Sequence, residues 1–405
     1  MRAPILRFAE FTDDWEETTL ENLAEVERGK FSVRPRNDPR YFGGEMPFVQ
    51  TGDVTGSDMY LKGYSQTLNA DGIKVSKVFP ADTILITIAA NIGDTTITQY
   101  AVACPDSVVA IQAKKDLANT IFLKNLIDLQ KENLDSQATQ NAQKNINLQV
   151  LKPLQLIAPS KAEQTKIATF LSVVDEKISQ LSQKLHLLGQ YKQGMMQKLF
   201  SQQIRFKADD GSEFGEWEER KLSDICLKIK DGTHFSPKTI EVGDYKYLTS
   251  KNVKNGYLDF SNLEFVNAED HKKIYSSCDV KFGDVLLTKD GTIGQCCVNT
   301  LTEEFSLLSS VAFLRLKTQF NNYFLYHLLV SDFGQREING VIAGQALKRI
   351  TLTKINNFKF MFPCFEEQTK IANFLSAIDQ KIDVVSEQLE QAKLWKKGLL
   401  QQMFV

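Results

Sequence analysis

Long apolar runs are missing from this chain. No stretch of its 405 residues approaches the ~20 apolar residues that a membrane-spanning helix needs. The opening segment, MRAPILRFAEFTDDWEE, turns acidic before the apolar core of a signal peptide could form, so a cytoplasmic location is expected. Cysteine is sparse and poorly placed. Cys104, Cys226, Cys278, Cys296, Cys297 and Cys364 form no CxxC pair, and His186, His234, His271 and His327 do not cluster with them. Neither a zinc site nor a disulfide framework is expected, and the thiols read as reduced and mostly buried. A basic excess is absent as well: 48 Lys and Arg stand against 50 Asp and Glu, a net charge of −2. That argues against simple coating of nucleic acid and confines any such contact to local basic patches.

Catalytic motifs are missing too. No GxxxxGK[ST] loop is present to cradle a nucleoside triphosphate. DPRY at 38–41 is the nearest approach to an amino-methyltransferase tetrad, and no FxGxG accompanies it. A nuclease of the PD…(D/E)xK type needs a second carboxylate where CPDSVVAIQAK has Gln112. No metal or cofactor is expected on this chain.

The positive signal is a repeat. EQTKIATFLSVVDEKI begins at Glu163 and EQTKIANFLSAIDQKI at Glu367, 204 positions later (367 − 163). Aligned without a gap, 163–200 and 367–404 share 18 identities in 38 positions. At the same offset, Ala142, Lys144, Ile146, Leu148 and Pro159 match Ala346, Lys348, Ile350, Leu352 and Pro363. Further back, DDWEETTLENLAEV (13–26) resembles GEWEERKLSDICLK (215–228), anchored on Trp15 and Trp217, and LITIAANIGD (85–94) resembles LLTKDGTIGQ (286–295). The chain is thus two tandem units of about 200 residues, each a globular part followed by a helix.

In the globular parts, short β-branched runs between Gly, Asp and Asn turns predict strands at 47–51, 83–88, 95–99 and 108–113, then 245–250, 284–288, 295–299 and 310–316. Amphipathic helices are predicted over 117–134 and 320–330. KADDGSEFGEWEE (207–219), with six carboxylates, reads as a solvated linker.

The long helices carry a heptad pattern. Ile167, Val174, Leu181, Leu188 and Met195 recur every seven residues, interleaved with Leu171, Ile178, Leu185, Lys192 and Leu199. The second helix gives Ile371, Ile378, Val385, Ala392 and Leu399, interleaved with Leu375, Ile382, Leu389, Lys396 and Met403. In both, the single polar seam position is a lysine at the same register, expected to set register while its amine reaches water. Two matched seams most simply pair within one chain; pairing between chains is the alternative. The predicted fold class is α+β: two mixed α/β domains alternating with two long helices that pair as an antiparallel coiled coil, one domain at each end. The boundaries read 1–160 for the first domain, 161–201 for its helix, 202–212 for a linker, 213–363 for the second domain and 364–405 for the second helix.

These features together resemble the specificity (S) subunits of type I restriction–modification systems. The resemblance spans the whole chain and is carried most specifically by the E-Q-x-x-I-A-x-F-L-S-x-x-D-x-K-I helices and the IAPSKAEQ and MFPCFEEQ approaches to them. It implies two target-recognition domains, each reading one half of a bipartite site in double-stranded DNA. It implies that the paired helices fix the spacing and dock two methyltransferase (M) subunits, which two motor-nuclease (R) subunits join for cleavage. It also implies that this chain is not itself an enzyme. The adenine methylation and ATP-dependent cleavage, with their S-adenosylmethionine, ATP and Mg, belong to the partners. The geometry of duplex DNA agrees: at ~34–36 Å per turn, a 38-residue coil of roughly 57 Å spans about one and a half turns. A reading from a different class is a protein–protein scaffold whose coil pairs two ligand-binding modules without DNA. A pI of about 6.2 is compatible with it.

Candidate DNA contacts fall in matching places. RGKFSVRPRNDPR (28–40) offers Arg28, Lys30, Arg34, Arg36 and Arg40 for phosphates and base edges; the alternative is a solvated surface loop. KIKDGTHFSPK (228–238) offers Lys230, His234 and Lys238, with turn stabilisation as the alternative. Asn91 and Lys289 sit in matched glycine turns, which are more often structural, with a phosphate-binding nest as the lesser reading. Lys144 and Asn145 match Lys348 and Arg349, with Gln345 nearby, either as readers or as elements that position each domain on its helix. Phe170 and Phe374, off the seam, are candidates for docking a partner.

Overall fold

The computed structural model describes residues 3–138, 145–343 and 348–404. It divides into two compact units, Met1–Ser182 with Glu387–Val405, and Gln183–Ser386. Each unit therefore draws on both long helices, whereas the sequence boundaries gave each helix whole to one segment.

The first unit is built on an antiparallel sheet of β2 (Ala24–Arg28), β3 (Ile84–Thr87), β4 (Thr95–Ile97) and β5 (Val108–Ala113). Its strand order is β2-β5-β3-β4, with Ile84 opposite Ile111. The β-branched runs suit a sheet covered on both faces. Alternate residues feed different cores: Ile84, Ile86, Val109 and Ile111 enter one, Leu85, Val108 and Ala110 another. A smaller sheet, ordered Gln66–Leu68, Phe42–Phe48, Val102–Ala103 and Val78–Phe79, backs the second core.

The second unit repeats the plan. Strands β8 (Cys226–Asp231), β9 (Val285–Thr288), β10 (Cys296–Val298) and β11 (Val311–Leu316) take the order β8-β11-β9-β10. Cys296 and Cys297 point into opposite cores because successive strand residues alternate, so the neighbouring thiols cannot pair. Cys364 alone among the six cysteines is exposed.

Helices α1 (Thr120–Asp128) and α3 (Asn322–Val330) pack on these sheets. Each is capped by an asparagine, Asn119 or Asn321, whose side-chain oxygen accepts two of the first free N–H groups. The helix predicted over 117–134 is broken: α1 ends at Asp128 and a second helix runs Lys131–Ser136. That stretch contains neither Gly nor Pro, so the sequence carried no sign of the break. A helix at Asp332–Ile342 was not anticipated, nor were two short antiparallel pairings between strands far apart in the chain. These join β1 (Glu16–Thr19) to β6 (Gln155–Ala158), and β7 (Glu218–Lys221) to β12 (Lys359–Phe362).

The long helices are α2 (Lys161–Phe200) and α4 (Phe365–Met403). In the first unit Ile167, Leu171 and Val174 of α2 share a core with Leu399 and Met403 of α4. In the second, Leu199 of α2 shares a core with Ile371, Leu375 and Ile378 of α4. The start of each helix meets the end of the other, so they run antiparallel. Ile178, Leu185, Leu188, Met195, Ile382 and Ala392 are half-buried, while Leu181, Val385 and Leu389 are buried. The seam lysines do not reach for water. Lys192 pairs with Asp379 at 2.5 Å in the second unit, and Lys396 with Asp175 at 2.5 Å in the first. A facing aspartate, itself part of the repeat, supplies what solvent was expected to.

Candidate nucleic-acid interface

Every matched letter at the start of the long helices has a structural partner. Glu163 is 2% exposed and accepts from Arg7 Nε (2.7 Å), Arg7 Nη2 (2.8 Å) and Trp15 Nε1 (3.3 Å). Glu367 is fully buried and accepts from Arg205 Nε (3.1 Å), Arg205 Nη2 (2.7 Å) and Trp217 Nε1 (3.1 Å). These hydrogen bonds hold both guanidiniums more firmly protonated than usual. The next residue, Gln164, accepts from the Asn119 N–H and donates to the Leu117 and Pro159 carbonyls; Gln368 does the same with Asn321 and Pro363. Lys166 pairs with Glu10, and Lys370 with Asp209. Each head is thus latched to the start of its own helix. Each is also joined there to the short segment that precedes its tryptophan.

Those segments were not recognised in the sequence, although Leu6-Arg7-Phe8 and Ile204-Arg205-Phe206 are alike. The second lies in what was read as a linker and a solvated stretch. It is instead strapped down by Arg205, Phe206 and the contact of Lys370 with Lys207 and Asp209. Phe8 meets Phe170 edge-on at 5.9 Å, and Phe206 meets Phe374 at 5.7 Å. Phe170 and Phe374 are therefore half-buried in internal contacts and are poorly placed for docking. The exposed aromatic residues at matched coil positions are Tyr191 (51%) and Trp395 (54%).

The basic loop of the first head leaves β2 at Arg28, and that of the second leaves β8 at Asp231. Gly29 and Gly232 begin them at places where a Cβ would collide with the carbonyl oxygens of Pro105 and Leu307, respectively. In the first head Arg28, Lys30, Arg34, Arg36 and Arg40 are all exposed. Arg28 Nε donates to the Asp106 carbonyl, Arg36 pairs with Asp106 at 2.9 Å, and Arg40 folds onto Asp38. Lys30 and Arg34 have no carboxylate partner among the described residues, which leaves them the most available cations. Thr51 Oγ1 lies 3.2 Å from Ser107 Oγ beside this loop. The Ile88 N–H donates to the Ser107 carbonyl and the Ile146 N–H to the Ile88 carbonyl, which brings exposed Asn91 and Asn145 to the same border. Lys144 lies outside the described residues.

In the second head the equivalent pieces are joined by a buried charge. Lys289, with a side chain 3% exposed, sets its amine 2.9 Å from Asp231, and Asp231 lies 3.3 Å from His234 Nε2. Lys289 is thus a structural cation and is not available to DNA. The Ile350 N–H donates to the Lys289 carbonyl, and Arg349 approaches Asp290 at 3.7 Å. The surface around them presents His234, Lys238, Lys348 and Arg349, all exposed. Lys230 is also exposed, its amine 3.4 Å from the Ser277 carbonyl. Gln345 lies outside the described residues. The polar edge formed by Ser250 and Ser310, where the Ser250 N–H donates at 3.0 Å, matches Thr51 and Ser107 and was missed in the sequence. Its only signal was a Ser at matching places, Ser107 and Ser310, just before β5 and β11.

Burial pushes the thiols of Cys104, Cys226, Cys278 and Cys297 up to about 12, so they remain protonated and unreactive. Among the described residues no group of three or more His, Cys, Asp or Glu is placed to hold a metal. No helix among them is long and apolar enough to cross a membrane.

The family model for the type I restriction modification DNA specificity domain matches twice, over residues 12–188 and 215–394. The chain belongs to this specificity family. Both matched spans begin just before a latch tryptophan and run into a long helix. Among curated relatives, the type I restriction enzyme MjaVIII specificity subunit of Methanocaldococcus jannaschii is 25% identical over 385 residues, covering 89% of this chain and 88% of its own length. The MjaX specificity subunit of the same organism, described as putative, is 24% identical, covering 96% and 93%. Among solved structures, the S subunit of a type I restriction–modification system from M. genitalium superposes with a TM-score of 0.65 at 17% identity, covering 100% of this chain and 99% of that one. It shares the fold of two specificity heads on paired helices.

Proposed function

We propose that this chain is the DNA-recognition subunit of a type I restriction–modification complex and performs no chemistry of its own. Each head reads one half of a bipartite duplex site. Exposed cations such as Lys30, Arg34, Lys238 and Lys348 hold phosphates, and neighbouring polar side chains such as Asn145 and His234 address base edges. The antiparallel helices set the spacing and dock two methyltransferase subunits, with two motor-nuclease subunits joining for cleavage. S-adenosylmethionine, ATP and Mg act on those partners, in the cytoplasm.

The observation that supports this reading most is a contrast within the repeat. The latch residues Glu163 and Glu367, Gln164 and Gln368, Trp15 and Trp217 coincide, while the exposed loops that follow β2 and β8 differ in almost every side chain. Equal frameworks with unequal surfaces suit a non-palindromic bipartite target. The test is binding of the purified chain, with its methyltransferase, to a duplex carrying the target across a salt series. Affinity should fall steeply and linearly on logarithmic axes as phosphate contacts release counterions. Salt-independent or undetectable binding would instead favour a scaffold that never meets DNA.

A further inference from the structure

The second unit contains a cleft of about 760 Å³ whose walls come from α2, α4 and the head. Three carboxylates line it, Asp332, Asp379 and Asp383, against one ammonium, Lys192, which is already paired with Asp379. Asp332 and Asp383 are exposed and hold no ion pair among the described residues. Three phenol rings complete the lining: Tyr257 and Tyr323, 60% and 44% exposed, and Tyr326, buried. Behind the wall His327 is fully buried, its Nε2 3.1 Å from Ser376 Oγ. Its Nδ1 has no hydrogen-bond partner and faces Asp379 at 3.9 Å. Burial, with Lys192 adding to it, lowers the imidazole to about 3, so it stays neutral. The cleft carries an excess of negative charge beside aromatic faces, with Gln193, Gln197 and Gln380 among its polar lining.

The matched positions of the first unit have a different chemistry. At the helix offset of 204, Asp383 becomes Ser179 and Gln193 becomes Lys397. On the head helix, at an offset of 202 (322 − 120 from the first residues of α3 and α1), Tyr323 becomes Ile121 and Tyr326 becomes Lys124. At the same offsets Gln380 becomes Glu176 and Val330 becomes Asp128, so both units carry three carboxylates here, but the first adds Lys124 and Lys397 and lacks Tyr323 and Tyr326. The excess of negative charge beside these two tyrosine rings belongs to the second unit, although the Lys–Asp pair beneath it is common to both.

We infer that this cleft seats an arginine-bearing segment of the methyltransferase subunit docked on the second unit. The inference rests on the function proposed above. DNA phosphate would meet like charge here, and a purely apolar helix would strip water from two unpaired carboxylates without compensation. A guanidinium brings planar N–H donors to the carboxylates and stacks on the tyrosine rings.

The test uses the full-length chain and the purified methyltransferase subunit of the same system, with stoichiometry read by native mass spectrometry and affinity by calorimetry. The variant combining Asp332→Lys with Asp383→Lys should weaken one of two methyltransferase sites about tenfold or more and leave the other intact. Tyr257→Leu should weaken the same site to a smaller extent. The matched change in the first unit, Gln130→Lys with Ser179→Lys, should leave both sites unchanged. The thermal unfolding temperature should fall only slightly, through the loss of an acid from the first turn of the Asp332–Ile342 helix, because Asp332, Asp383 and Tyr257 are exposed. Wild-type affinity at both sites in the charge-reversed variant overturns the cleft assignment alone, as does an equal loss in the first-unit control. A wild-type chain that binds no methyltransferase overturns the cleft and the proposed function together.

Discussion

Replacing Arg205 by Met should destabilise the second unit by about 3 kcal/mol. Glu367 is fully buried and has three donors, two from Arg205 and one from Trp217. Arg205→Met leaves a buried carboxylate with one indole N–H. Breaking a buried pair from one side costs roughly 3–5 kcal/mol. The Arg205 side chain keeps 19% exposure, so water relieves part of the loss and the low end applies. Glu367→Leu should cost less, about 1–2 kcal/mol, because the freed guanidinium can turn toward solvent. With both changes made together the buried charge disappears, and the total should fall well below the sum of the singles. The coupling is then about 2 kcal/mol, read from urea unfolding of the full chain by circular dichroism. Arg7→Met with Glu163→Leu should give a similar coupling in the first unit. A coupling below about 0.5 kcal/mol, the level expected of independent sites, would refute the latch as the joint between head and helix.

Other consequences concern the heads and the coil. Lys289→Ala should lower stability by leaving Asp231 beside an empty space, whereas Arg34→Ala should leave stability unchanged and flatten the salt dependence of DNA binding by about one ion; equal behaviour of the two variants in thermal melts and salt titrations would contradict the assignment. His327 is held neutral, with its pKa lowered to about 3 against an ordinary value near 6.5, so the unfolded chain takes up the proton first. Its contribution is present above pH ~6.5 and is lost as pH falls below it. Asp379, which faces it, shifts upward through burial and contributes with the opposite sign; Lys192 stays close to both. The comparison is therefore made with His327→Asn, the residue at the matched position Asn125, whose urea midpoint should change less between pH 7.5 and pH 5 than the wild type's. Removing one heptad from each helix, 184–190 and 388–394, should shorten the coil by about 10 Å and the gap between half-sites by about three base pairs; an unchanged gap in the mapped methylation sites would exclude the ruler role.

Much of the architecture was legible because the repeat compares the chain with itself. Periods of seven gave the seam, and the strong β-branched runs gave β3, β5, β9 and β11. Three kinds of feature were hidden. Trp15 and Glu163 each recurred visibly, but they are 148 residues apart, and nothing local says that one donates to the other. Lys289 looked like any turn cation until folding brought Asp231 beneath it, because burial of a charge is a tertiary property. Phe170 and Phe374 lay off the seam and so appeared free, and their covers, Phe8 and Phe206, come from segments too short to register as a repeat. The exposed loops were legible as basic but not as readers, since phosphate contacts and base contacts draw on the same residue types.

The most direct measurement exchanges residues 1–160 for the first head of another specificity protein and maps the modified adenines in DNA treated with the resulting complex. Independent reading by two heads predicts that one half of the recognised site changes while the other half and the gap stay as they were. A change in both halves, or in neither, would contradict it.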